Sequence, residues 1–434
     1  MAVIFGTFTL RLSTGLTGGM LVYYLRDLGA EPIIVGVFAA LFYASELIGS
    51  PLFGILSDRV GHRRILLIGP AFGAIAVIIT ALTSDFTVLG FTRILEGGST
   101  AASVPSILGF IAFATAGNEL MRGKAVARFE AATLAGLMFG FVLAGPLYDG
   151  IPGVFDGFQH NAFFINAILY GVSFLIYQKG VPKDAEPEPA QRRAAARAAE
   201  AGEVHESGFR RYRRILVGSH VWLLAPTWIA INATLGLFTS QTLFQLVREP
   251  SPRFEHQVLM GGFDGAVVSL GLAIGGLLFF LGIFYWGNRF KSMRRTTIIF
   301  YGILGGAALL IAAVGINHST GMATALIVGL AVVAVGGLFV LAGATPAAIG
   351  LLADVTEAYP DDRGAIMGLY SVFLGIGQII GSLVGATAAE FYGLDGIFAV
   401  AFLFLAIALV PLAQLRRFEH FVAGPGSAAS LSTD

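Results

Sequence analysis

The chain contains no cysteine. That excludes a disulfide framework, a thiolate nucleophile and any cysteine metal site, and it leaves the redox compartment unmarked. Charge is scarce as well. Asp, Glu, Lys and Arg make up 12% of the 434 residues, against about 25% in soluble domains. The seven His show no metal-ligand spacing, and lone loop residues such as His160 and His256 read as solvated. No P-loop is present, and Gly261-Gly262 and Gly275-Gly276 lack the strand–helix context of a nucleotide loop. No serine–histidine–acid set emerges either. Neither enzymatic catalysis nor ATP drive is therefore expected, and no cofactor, metal or nucleic-acid partner. The N-terminus has no cleavable signal pattern, because an apolar stretch begins almost at once.

What fills the chain is apolar: 56% hydrophobic residues and a mean hydropathy of +0.79. Such a composition implies an all-α integral membrane protein, since helices satisfy their own backbone groups in lipid. The 57 Gly lie inside apolar runs, which suits tight helix packing rather than disorder. The 36 Phe read as packing and lipid-facing residues, not as a cofactor box. Twelve transmembrane helices are expected, at about 3–25, 33–57, 65–83, 86–115, 125–148, 161–178, 219–246, 262–287, 297–315, 321–350, 364–388 and 395–415.

Orientation follows from the bases. Of 27 Lys and Arg, only Arg26, Arg248 and Arg253 fall in loops on one side, and Arg11 and Arg93 lie inside spans. The rest collect on the other side, which places both termini in the cytoplasm. A polar linker, 179–214, divides the chain into an N-terminal six-helix half, 1–178, and a C-terminal one, 215–417. Its Arg210, Arg211, Arg213 and Arg214 would face anionic lipid, or the linker is a solvated tether. The Gly/Ala/Ser-rich tail, 418–434, reads as disordered.

One short loop interrupts the apolar texture with glycine, an acid and several bases: Gly54-Ile-Leu-Ser-Asp58-Arg59-Val-Gly61-His62-Arg63-Arg64. Positive-inside charge accounts for the bases but not for Asp58 or the two glycines. Between a second and a third span, Gly-x-Leu-x-Asp-Arg-x-Gly-x-Arg-Arg closely resembles the signature loop of the major facilitator superfamily. The resemblance implies two six-helix pseudo-symmetric halves that rock about a central site. It also implies that Asp58 neutralises a helix N-terminus of the other half and that Gly54 permits close approach there. Arg59, Gly61 and Arg63 belong to the same conformational switch, with Arg363 at the start of the eleventh span.

The halves look like repeats. Glu119, Arg128, Gly140 and Gly150 recur at the same intervals as Asp354, Arg363, Gly375 and Gly385, with the glycines along one helix face. A weaker echo of the signature loop, Asn288-Arg289-Phe-Lys291-Ser-Met-Arg294-Arg295, follows the eighth span. Paired halves place a substrate site near the bilayer midplane.

Ionisable residues inside spans are expensive and usually functional. Arg11, Glu46, Arg93 and Glu96 make that shortlist, all in the first half. The constant offset of the repeat brings Leu246, Leu281, Val328 and Ala331 opposite them. The second half offers neutral polar groups instead: Asn232, Gln241, Gln245, Thr345 and Gln378. The division suggests ion coupling in the first half and a hydrogen-bonding substrate wall in the second.

Glu46 has the best claim to proton exchange, lying about 20 Å into its span at about 1.5 Å per residue, with Arg11 at a similar depth. Desolvation favours the protonated acid and a nearby cation favours the carboxylate. A permanent Glu46–Arg11 bridge is the structural alternative, and Arg11 has the length to snorkel toward cytoplasmic water. Arg93-Ile-Leu-Glu96-Gly97 resembles the Arg-x-x-x-Gly motif of proton-linked members, where a glutamine is common at the place of Glu96. One turn apart, Arg93 and Glu96 can also simply neutralise each other. Gly136 to Gly150, with Gly145-Pro146, resembles the Gly-Pro motif of drug:proton antiporters, although Gly140 comes one residue early and the last glycine one late.

The expectation is a secondary transporter of a small hydrophobic or amphipathic molecule, working by alternating access as a proton-coupled exporter. A monomer in a prokaryotic cytoplasmic (inner) membrane is expected, with substrate, protons and the lipid bilayer as its partners. A sugar or organic-acid symporter or facilitator is the alternative within this class. A non-transporting membrane assembly or pigment-handling factor is the alternative from another.

Overall fold

The computed structural model describes residues 1–115, 119–181, 221–358 and 363–422. Six helices come first: α1 Ala2–Asp27, α2 Pro32–Val60, α3 His62–Leu82, α4 Phe86–Ala114, α5 Glu119–Tyr148 and α6 Ala162–Gly180. Next, α7 Val221–Leu237 runs through a π-helical turn, Phe238–Thr242, into α8 Leu243–Val247. Then follow α9 Gly265–Gly287, α10 Arg295–Asn317, α11 Thr324–Leu341, α12 Ala344–Ala358 and α13 Arg363–Val422. The last is two helices joined at Gly393, whose φ of 62° and ψ of −141° are not helical. Helical segments thus occupy all twelve expected span positions, and the described residues include no strand.

Nine stretches among the described residues are long and apolar enough to cross a membrane, and the one from Val372 to Arg417 accounts for two spans. The exceptions have physical reasons. In α1, Thr7, Ser13 and Thr17 lower the hydropathy, but all three are buried and bond backbone carbonyls one turn back. It is an interior helix, shielded from lipid. The seventh span is interrupted by its π turn, which ends the described part of α7, Val221–Leu237, at Leu237. The tenth expected span is among the nine, although α11 gives way to α12 within it at Ala342 and Gly343.

The chain forms two compact units: Met1–His205 with Phe263–Ala273, and Glu206–Gly262 with Ile274–Asp434. The opening turns of α9 therefore belong with the first unit. Most of the 179–214 linker lies outside the described residues. The final helix continues past the expected start of the tail to Val422, and the remainder lies outside as well.

Lipid tails are as apolar as leucine, so helices in a membrane associate through close packing of small residues. In the first unit α5 lies on α1. A Cβ at Gly136 would meet Arg11 Cβ at 2.8 Å, and one at Gly140 would meet the Leu12 carbonyl and Leu16 nitrogen. In the second unit α13 lies on α7 in the same way. A Cβ at Gly377 would meet Asn232 Cβ at 2.6 Å, and one at Gly381 would strike the Ala233 carbonyl.

These contacts correct the repeat read from the sequence. Gly150 is not on a helix face: α5 ends at Tyr148, and Gly150 follows in a turn at φ +89°, a region glycine enters without penalty. Phe8, Arg11 and Leu12 surround Gly136 as Ile229, Asn232 and Ala233 surround Gly377. Asn232, not Leu246, is the counterpart of Arg11. Loop length is cheap to change, so one constant offset does not survive from turn to helix.

Candidate functional site

The signature loop is a one-residue break between two helices. Gly61 at φ +113° separates α2 from α3, a conformation that glycine adopts readily and that residues with a Cβ rarely do. Arg63 reaches the end of α6, where Nε donates to the Val181 carbonyl at 2.7 Å and an Nη to that of Gln178 at 2.6 Å. It thereby satisfies carbonyls that the helix terminus leaves open. Arg59 is exposed. Within the first unit a Cβ at Gly54 would meet only Pro105, at an ordinary 3.7 Å. The side chains of Asp58 and Arg363 lie outside the described residues.

The four charges expected inside the first half fall into two different situations. Arg93 and Glu96, both on α4 and both buried, form a direct ion pair. The Arg93 guanidinium also lies 4.9 Å from the centre of the Phe42 ring on α2, a favourable cation–π approach. Gly97 makes this possible, because a Cβ there would meet Phe42 O and, at 2.8 Å, Ser45 Cβ. Even so, Arg93 Nε and Glu96 Oε1 are buried with no hydrogen-bond partner among the described residues.

Arg11 and Glu46 behave otherwise. No ion pair joins them among the described residues, although the Arg11 charge acts on Glu46 electrostatically. Arg11 donates instead to Thr100 Oγ1 on α4 at 3.4 Å. Glu46 is half-buried. The permanent bridge held open as the structural alternative is not formed here. A further carboxylate, Glu130 on α5, also feels the Arg11 charge. It falls inside the expected fifth span but only about 8 Å from its edge, where an acid reads as interfacial.

In the second unit Asn232, Gln241, Gln245 and Gln378 are all buried. Asn232 and Gln378 share the α7–α13 contact. Asn232 Nδ2 donates to the Trp228 carbonyl at 2.8 Å, while Gln378 Cα and Oε1 lie 2.7 and 2.8 Å from where a Cβ of Gly236 would stand. Gln241 sits in the π turn and Gln245 just beyond it. Such turns occur mostly as local bulges and often at functional sites. Gln378 Oε1 and Gln245 Nε2 are buried without a partner among the described residues. Thr345, half-buried at the start of α12, has no hydrogen bond to any of this group.

Charged groups do lie near these amides, outside the expected spans of the second half. Glu390 lies within α13, with Oε2 buried and unpartnered among the described residues. Beyond the end of α8, burial lowers the Arg248 guanidinium below its ordinary value, and Glu390 acts in the opposite direction. Arg248 donates to Gln245 Oε1 at 3.4 Å. His256 is exposed but not alone, since its ring stacks on His318 with centroids 5.4 Å apart. No group of three or more His, Cys, Asp or Glu suited to a metal occurs among the described residues.

Comparison with known proteins bears on this arrangement. The chain is 24% identical over 382 residues to the quinolone resistance protein NorA of Staphylococcus aureus (strain MRSA252), covering 88% of this chain and 87% of that one. It is 30% identical over 187 residues to the multidrug resistance protein MdtG of Proteus mirabilis (strain HI4320), covering 41% and 45% of the two chains. A crystal structure of the peptide transporter POT in complex with sulfate superposes with a TM-score of 0.66 at 14% identity, covering 98% of this chain and 95% of that one. The family model described as Major Facilitator Superfamily matches residues 3–339 and 262–429. The chain belongs to the major facilitator superfamily, a family of membrane transporters and not of enzymes.

Proposed function

We propose that the protein is a proton-coupled exporter of hydrophobic or amphipathic small molecules, working by alternating access as a monomer with both termini in the cytoplasm. One observation carries the coupling: Arg93 and Glu96 are closed on each other, whereas Arg11 and Glu46 are within electrostatic reach without an ion pair. A carboxylate held that way can take up and release a proton as its surroundings change, which a locked pair resists. Glu46 is therefore the exchanging group and Arg11 sets its affinity. Arg93 and Glu96 fix α4 against α2.

The substrate side is assigned to the second unit. Gln378 Oε1 and Gln245 Nε2 are buried with no hydrogen-bond partner among the described residues, and leaving a buried polar group unpaired costs about 1–3 kcal/mol. A substrate that supplies the missing partners recovers this. The amides are neutral, and Arg248 is a charged neighbour at Gln245, a combination that suits an amphipathic molecule carrying a polar end. The names of the relatives, quinolone and multidrug resistance proteins, point the same way. Proteoliposomes loaded with a fluorescent quinolone under an imposed pH gradient test the reading. Quinolone movement against its gradient supports it, and movement indifferent to pH contradicts it.

A further inference from the structure

A groove of about 570 Å³ runs along the second unit between α10 and the last stretch of α13, within the range of small-ligand sites. Its walls are apolar: Leu310, Ile311 and Val314 from α10, and Phe398 and Phe402 from α13. Ile311 is 63% and Phe402 47% exposed, so the trough is open rather than filled by its own side chains. His318 and Asp395 close one end. From Leu310 to His318 is two helical turns, about 12 Å.

The polar end is built, not incidental. The Asp395 carboxylate accepts from Asn317 Nδ2 at 2.8 Å and from His318 Nε2 at 2.9 Å. Gln257 Oε1 accepts the backbone N–H groups of Leu394 and Asp395 at 2.9 and 3.3 Å, and Gln257 Nε2 donates to the Tyr392 carbonyl at 2.9 Å. The His256 ring stacks on His318. The side chains of His318 and Asp395 remain 37% and 32% exposed, within reach of a ligand. A carboxylate has about four lone-pair sites, so these two donors leave Asp395 with acceptor capacity.

We propose that this groove binds a membrane phospholipid whose headgroup carries a primary amine. One acyl chain lies along the apolar walls, the ammonium donates to Asp395, and the phosphate faces the His256–His318 pair. The chemistry selects this lipid. A purely anionic headgroup is repelled by Asp395, and a trimethylammonium has no N–H to donate, whereas a primary ammonium offers three. The inference depends on the chain being a membrane protein and not on the cargo or ion proposed above.

The test uses the full-length protein in nanodiscs of equal parts phosphatidylethanolamine, phosphatidylcholine and phosphatidylglycerol with matched acyl chains. Native mass spectrometry then reads the lipid that survives delipidation. Retention of phosphatidylethanolamine should exceed that of phosphatidylcholine by about tenfold, the effect of one charge-assisted hydrogen bond. Asp395→Asn should remove that preference. Ala399 lines the groove and is exposed, so Ala399→Phe fills the trough without entering the core and should release the retained lipid whatever its headgroup. Should Asp395→Asn fail to fold, Ala399→Phe decides. Equal retention of the amine and trimethylammonium lipids, preference for phosphatidylglycerol, or unchanged retention in Ala399→Phe would overturn the proposal.

Discussion

Asn232 stands in the second unit where Arg11 stands in the first. Each presents its Cβ to a glycine of the neighbouring helix, Gly377 and Gly136, at 2.6 and 2.8 Å from where that glycine's own Cβ would be. The packing is repeated while the side chain changes from a cation to a neutral amide. The change fits the proposed division between ion coupling in the first half and hydrogen bonding to substrate in the second.

The shared packing predicts a shared sensitivity. A methyl at Gly381 would strike the Ala233 carbonyl, and one at Gly140 the Leu12 carbonyl. Gly381→Ala and Gly140→Ala should each destabilise by about 1–3 kcal/mol, the usual cost of overpacking. A Cβ at Gly336 meets nothing within 4 Å, so Gly336→Ala should stay within about 0.5 kcal/mol of the parent. Heat-induced unfolding of the purified variants checks the contrast.

Arg26 at the end of α1 grips Asp149 after α5 through two nitrogens, at 2.9 and 2.7 Å, while Asp27 accepts from Tyr148 Oη at 2.9 Å. A bidentate grip needs the planar guanidinium fork, which lysine lacks. Arg26→Lys should therefore lose much of what Arg26→Ala loses, about 1–2 kcal/mol for a half-buried pair. A double-mutant cycle with Asp149→Asn measures the coupling. A coupling energy near zero would reduce the pair to a surface contact.

Glu96 is the direct partner of buried Arg93. Glu96→Gln keeps an acceptor but leaves the cation without its countercharge, and breaking a buried pair is costly. The expected signature is a lower unfolding temperature with pH-driven transport retained. Loss of the pH dependence at unchanged stability would move the exchanged proton to Glu96.

Asp58 is proposed to hold the cytoplasmically closed state by meeting the N-terminus of α13. Such a contact contributes about 0.3–1 kcal/mol, and up to about 2 when partly buried. Asp58→Asn should shift the balance toward the inward-facing state without unfolding the protein. Spin-label distances across the cytoplasmic face measure that shift, and an unchanged distribution would remove the docking argument.

The membrane class and helix positions were legible in the sequence because hydropathy runs and loop charge report directly on lipid. So was the family, through the residue spacing of the signature loop, whereas the positive φ of Gly61 and the cap that Arg63 places on α6 came only from the structure. The repeat register was not legible, because it is fixed by which glycine meets which carbonyl across helices. Matching intervals anchored on turns misplaced the counterpart of Arg11. Glu130 and Glu390 escaped notice for a related reason. Both lie near span edges, and only the packing around them shows one within the reach of Arg11 and the other with a buried, unpaired oxygen.

The central claim is that Glu46 carries the exchanged proton, and Glu46→Gln tests it most directly, since it removes the titration and keeps size and hydrogen bonding. The measurement is quinolone accumulation in proteoliposomes under an imposed pH gradient, alongside passive exchange without one. The account predicts that Glu46→Gln abolishes accumulation against the gradient while exchange remains measurable. Continued uphill accumulation by Glu46→Gln, at a rate near that of the parent, would contradict it.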